Sequence, residues 1–230
     1  HNTLYNHTTG EWIINLDGDD YYTDKSFISR AINRINSQEN VVCYFGCKYL
    51  SSQLNRYTKN LIAQNAYVFD GKFYFLNYFR MGSFSHMATF YKRDIAMKDQ
   101  KCYTYVGLQS DFHGIIRLCV KGNVIIAQEK GYVWRVHDTN ASVTFDLYQK
   151  YLDEIDCQRL ILEDIHCFSE KEKYTWLKEG KKWAYRDFVV NNLFYNPCLN
   201  SLCLGVKNFR FNKGYVIVFV KSFFRMFLLK

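Results

Sequence analysis

The sequence predicts an α/β domain followed by a helical extension. Up to about residue 142, short apolar runs rich in β-branched and aromatic residues alternate with stretches of helical periodicity. Beyond Phe145 the apolar residues recur only at helical intervals. With 230 residues, 48% of them hydrophobic and 18% aromatic, the chain is long enough to bury a sizeable core, which excludes a disordered class.

The first strand is Trp12 to Leu16, a β-forming run bounded by Gly10 and Gly18 that stops at Asp17-Gly18-Asp19-Asp20. Thr23 or Asp24 caps a helix through about Ile35, with Phe27, Ile28, Ala31, Ile32 and Ile35 on one face. Val41 to Tyr49 is the next strand. Tyr67 to Phe75 reads as a hairpin around Asp70-Gly71, following a polar excursion from Ser51 to Asn65. Met81 to Arg93 passes from small and polar residues into a β-like run, and Asp94 starts a short helix. Ser110 caps a helix that carries Ile115, Ile116 and Cys119 inward and ends at Gly122. Val124 to Ala127 and Tyr132 to Val136 are strand-like. The extension has one helix with Leu147, Tyr151, Ile155, Leu160 and Ile161, and a second with Trp176, Leu177, Trp183, Ala184, Phe188 and Leu193, broken by Pro197. The boundary falls near residues 142–145, so 1–144 forms one domain and 145–230 the extension.

The formal net charge is +8, with basic residues dispersed apart from gatherings at Lys171 to Lys182 and from Lys207 onward. Phosphorylated substrates and an anionic membrane surface are the favoured partners. Nucleic acid is not expected, because no binding motif appears and the aromatics fall at core spacings. Eight cysteines form no CxxC pair and no histidine completes a zinc spacing, as in a protein of a reducing compartment. No signal peptide opens the chain and no uncharged apolar stretch is long enough to span a bilayer, so a cytoplasmic location is expected. The segment 214–230 resembles an interfacial helix, with Lys221, Arg225 and Lys230 placed for headgroups, which would put the protein at the inner face of the plasma membrane.

The chemistry concentrates in the acids. In an extended backbone Asp17 and Asp19 project together, and two hard oxygen ligands at a strand end suit Mg²⁺ or Mn²⁺ shared with substrate phosphates. The same residues also make an ordinary polar turn. Asp111 lies in a helix's first turn, where the dipole keeps a carboxylate ionised unless it is buried.

Four segments in order resemble the inverting nucleotide-sugar glycosyltransferases of family 2. They are His1-Asn2 through Gly10-Glu11 to Asp17-Gly18-Asp19-Asp20; Ala88-Thr89-Phe90-Tyr91-Lys92-Arg93; Ser110-Asp111 through Arg117 to Gly122; and Trp134-Arg135-Val136-His137 to Ser142. The resemblance implies the GT-A fold, a Rossmann-like mixed sheet flanked by helices. It implies a nucleoside-diphosphate sugar donor, UDP- or GDP-linked, and a glycan or lipid-linked acceptor. It assigns Asp17, Asp19, Asp20 and Arg135 to the donor, Asp19 and His137 to a Mg²⁺ or Mn²⁺ ion, and Asp111 to the general base of a hexosyl transfer with inversion.

Two departures accompany it. The strands that hold the nucleobase in that family are absent from the amino-terminal side of this chain, so the catalytic domain is expected to be amino-terminally incomplete. Ser110 also stands where the family has a glutamate before the base. The competing readings are a non-catalytic domain of the same fold and, more distantly, a DxD phosphatase. An EF-hand fails, with Tyr22 where its glycine is needed and Ile28 where its glutamate belongs.

Overall fold

The computed structural model describes residues 7–81, 84–99, 104–135, 146–195, 198–207, 219–221 and 223. Its strands are β1 (Trp12–Ile14), β2 (Tyr21–Tyr22), β3 (Val41–Cys47), β4 (Leu61–Ala63), β5 (Ala66–Asp70), β6 (Thr89–Lys92), β7 (Asn123–Gln128) and β8 (Tyr132–Val133). Its helices are α1 (Phe27–Asn36), α2 (Gly71–Met81), α3 (Arg93–Lys98), α4 (Ser110–Ile116), α5 (Leu147–Asp164), α6 (Glu170–Tyr195) and α7 (Leu199–Lys207). Six strands form one mixed sheet in the order β1-β6-β3-β7-β5-β4, in which β3 and β7 run parallel and the other neighbours antiparallel. Strands β2 and β8 pair separately. This is the expected mixed sheet flanked by helices.

Strand β3 is buried at every position, which is why Val-Val-Cys-Tyr-Phe-Gly-Cys shows no alternation of apolar and polar residues. Its side chains feed two cores. Val41 and Tyr44 pack with Phe27, Ala31 and Ile35 of α1, while Val42, Cys43 and Phe45 pack with Tyr74, Phe75 and Tyr78 of α2. A register irregularity between Val41 and Cys43 turns Val42 and Cys43 to the same side. Ile28, expected on the inner face of α1, is exposed; the buried stripe is Phe27, Ala31 and Ile35.

The hairpin expected over Tyr67 to Phe75 is a strand followed by a helix. Asp70 Oδ1 accepts a hydrogen bond from Phe73 N at 2.9 Å, so the aspartate caps α2 instead of turning a hairpin. Gly71 is required for close approach, since a Cβ there would lie 1.7 Å from the Cys119 carbonyl oxygen. Tyr74, Phe75, Tyr78 and Met81 then fall on one helical face. The hairpin in this region joins β4 to β5 instead, through Asn65 at a positive φ of 56°.

Helices α5 and α6 share the second core with the sheet. Trp176 is buried, stacks on Phe75 with ring centroids 4.8 Å apart, and donates from Nε1 to Phe75 O at 2.7 Å. Cys157, Ile161, Leu162 and Phe168 complete the contact. No helix among the described residues is long and apolar enough to cross a membrane. The expected boundary at residues 142–145 lies outside the described residues, as do Pro197 and most of the amphipathic segment. Of that segment, Phe219 packs by Val189 and Leu193, while Val220 and Phe223 are exposed.

Candidate active site

The acids after β1 do not continue the strand. Asp20 N donates to Asp17 O at 3.0 Å, closing a turn, so the expected strand alternation of Asp17 and Asp19 gives way to a different arrangement. Asp17 and Asp20 line a cavity of about 620 Å³, and Asp19 is not among its lining residues. Arg135 does not line it either. It clasps the acidic turn from outside, donating from its backbone N to Asp20 Oδ1 at 2.9 Å and from Nε to the Asp19 carbonyl. His137 lies outside the described residues.

The opposite wall is the start of α4. Gln109 holds the capping position there and Ser110 is the first helical residue, so Asp111 sits in the first turn as expected. Burial raises the Asp111 pKa; a charge on His86 opposes this and the Asp17 carboxylate adds to it. Asp111 Oδ1 is buried, and no hydrogen bond reaches it among the described residues.

Between the two walls stands His86. Its Nδ1 is 3.1 Å from Asp111 Oδ2 and its Nε2 is 4.0 Å from Asp17 Oδ1. In the sequence His86 is marked only by its place in the small, polar stretch before a β-like run. His113 is buried and stacks on Tyr105 at 5.3 Å, a structural place.

The rest of the lining comes from the carboxyl end of β3 and from the segment after β8. Lys48 reaches over the Tyr132 ring at 5.3 Å, and Tyr49 and Trp134 are 82% and 50% exposed, so aromatic faces are presented beside the acids. Beneath this wall lies a buried carboxylate that the sequence did not reveal. Glu129 accepts from Tyr44 OH at 2.6 Å, from Arg34 at 2.5 Å and from Arg30 Nη2 at 2.7 Å, while its backbone N donates to Cys47 O at 2.8 Å. A buried carboxyl with three donors is held in one position, and it fixes the ends of β3 and β7 where the cavity begins.

Residues 2–99 match the family model described as Glycosyl transferase family 2. Over these residues the chain is similar to that family. The match covers the acidic turn and His86, and Asp111 lies beyond it, brought to the cavity by the packing of α4. No curated protein matches the chain. The mixed sheet is consistent with the GT-A fold, and the family 2 match supports glycosyl transfer as the general activity.

Among the described residues no three His, Cys, Asp or Glu side chains converge so as to hold a metal ion unaided. Asp17 and Asp20 nonetheless offer hard oxygens to one cavity, which suits a cation whose remaining ligands are phosphate oxygens and water.

Proposed function

We propose that this cavity is the active site of an inverting hexosyltransferase that takes a sugar from UDP or GDP and passes it to a glycan or lipid-linked acceptor. The observation that carries the reading is the meeting of Asp17 and Asp111, far apart in sequence, through His86 in one cavity. Its volume, about 620 Å³, falls in the range of ligand sites.

In this reading Asp17 and Asp20 hold the donor and Asp111 faces the acceptor. An acceptor hydroxyl attacks the anomeric carbon as its proton passes to the Asp111 carboxylate. The bond to the nucleoside diphosphate breaks on the opposite face, which inverts the configuration. Burial raises the Asp111 pKa, which makes its carboxylate a stronger base. Mg²⁺ or Mn²⁺, held by Asp19 or its neighbouring carboxylates with His137, would neutralise charge on the departing diphosphate. Arg135 supports the site by holding the acidic turn. Tyr49 and Trp134 offer stacking faces to a sugar ring. Residues 1–144 form the catalytic domain in this reading and 145–230 a helical extension. The basic carboxyl-terminal segment would hold it at the cytoplasmic face of the plasma membrane.

Isothermal titration of UDP and GDP, with and without Mn²⁺, tests the donor site. Metal-dependent binding that disappears in Asp17→Ala and Asp19→Ala supports it. Binding that ignores both metal and substitutions would refute it.

A further inference from the structure

The proposed reaction gives roles to Asp17 and Asp111 but none to the imidazole between them. His86 opens the 3₁₀ turn His86–Ala88, and that turn is fixed from several directions. Thr89 Oγ1 donates to Ser85 O at 2.7 Å, Tyr22 OH donates to Met87 O at 2.8 Å, and Ser85 N donates to Gly46 O at 3.3 Å. Gly46 lets the turn sit directly on β3, since a Cβ there would come within 2.7 Å of Ala88 Cβ. The imidazole is therefore delivered by a rigid segment. Its side chain is 18% exposed.

Asp111 is held far less firmly. Its Oδ1 is buried without a hydrogen bond among the described residues, and its Oδ2 lies 3.1 Å from His86 Nδ1 in an ion-pair contact that lacks hydrogen-bond alignment, so the imidazole acts on the carboxylate through proximity and charge. Resting on the transferase reading of the cavity, we propose that His86 is the positioning residue of the proton-accepting step, aiming Asp111 through Nδ1 and tying it to Asp17 through Nε2.

Two effects follow from the same geometry. A fixed carboxylate loses less freedom when the acceptor hydroxyl arrives, so the cost of orientation is met by the fold. Positive charge at His86 also opposes the upward push of burial on the Asp111 pKa and so favours the carboxylate that accepts the proton. The Asp17 charge works the other way, and Asp20, Cys47, Lys48, Tyr49 and Tyr132 are the further titratable groups lining the cavity.

Carbon-13 NMR of the aspartate carboxyls across pH reads the pairing without any substrate, with the Asp111 signal assigned by its loss in Asp111→Asn. In His86→Ala the Asp111 titration should move to higher pH by roughly one unit, a tenfold change in acid constant. His86→Asn, whose amide nitrogen stands where Nδ1 stood, checks the result in a variant of near-native shape and should restore part of the turnover. With a panel of UDP- and GDP-sugars, kcat of nucleoside diphosphate release should fall about tenfold or more in His86→Ala, its acid limb shifting with Asp111, while the donor KM changes less than about threefold. An Asp111 titration that stays put in both folded variants would overturn the proposal, and metal-dependent UDP binding by the wild type would then leave the transferase reading standing. A shifted titration in a chain that binds neither UDP nor GDP would uphold the pairing and sink that reading.

Discussion

Glu154 ties the packing of the helical extension to pH. It sits on the inner face of α5, 5% exposed, opposite Asp187 of α6. Burial, followed by the Asp187 charge, pushes its pKa up from the usual 4.5 to about 8, with Lys150 opposing. A carboxyl whose pKa is higher folded than unfolded binds more protons in the folded state. Its stabilising effect is complete below pH 4.5 and is lost as pH rises through 8. At 1.36 kcal/mol per unit, the shift corresponds to a loss on the order of 3–5 kcal/mol across that window. Glu154→Gln cannot ionise, so it should be free of this loss and more stable than the wild type above pH 8. Urea unfolding at pH 5 and pH 8.5 on both proteins measures the difference of differences, which removes the titration of every other group. Equal slopes with pH in the two proteins would refute the assignment of a buried, neutral Glu154 between the helices.

Two other substitutions probe the scaffold. Trp176→Ala removes a buried ring stacked on Phe75 and tilted against Phe79 and its bond to Phe75 O, and should cost about 3–5 kcal/mol by urea denaturation; under 1 kcal/mol would mean that α6 does not share the sheet's core. Gly46→Ala would drive a methyl into Ala88 and displace the His86 turn. It should cost roughly 1–3 kcal/mol in stability and weaken Mn²⁺-dependent UDP binding, and a variant with native affinity would show that the turn's seat is slack.

What was legible in the sequence was whatever local chemistry decides. A short strand ahead of Asp17-Gly18-Asp19-Asp20, a helix with Asp111 in its first turn and the apolar run of β3 each carry their signal within a few residues, although the first strand ends at Ile14, buries only Ile13 and leaves Leu16 exposed. The Asp70-Gly71 pair misled because the same dipeptide turns a hairpin or caps a helix. The tertiary contact of Gly71 with the Cys119 carbonyl, which no neighbouring residue announces, decides between them. Ile28 likewise fits the helical stripe by spacing, yet Phe27 fills the contact with Phe90 and leaves Ile28 outside. Glu129 and His86 were illegible for a related reason. Burial of Glu129 depends on Arg30, Arg34 and Tyr44 arriving from other elements, and the role of His86 depends on two carboxylates that the fold brings to it.

In the proposed transfer Asp111 accepts the proton of the acceptor hydroxyl. The measurement that reaches it most directly is nucleoside diphosphate release from UDP- and GDP-sugars by the wild type and by Asp111→Asn, alongside the affinity of each for the same donor. Donor affinity should be preserved in the variant while turnover falls by about 10²–10⁴. Turnover undiminished in Asp111→Asn would contradict the account.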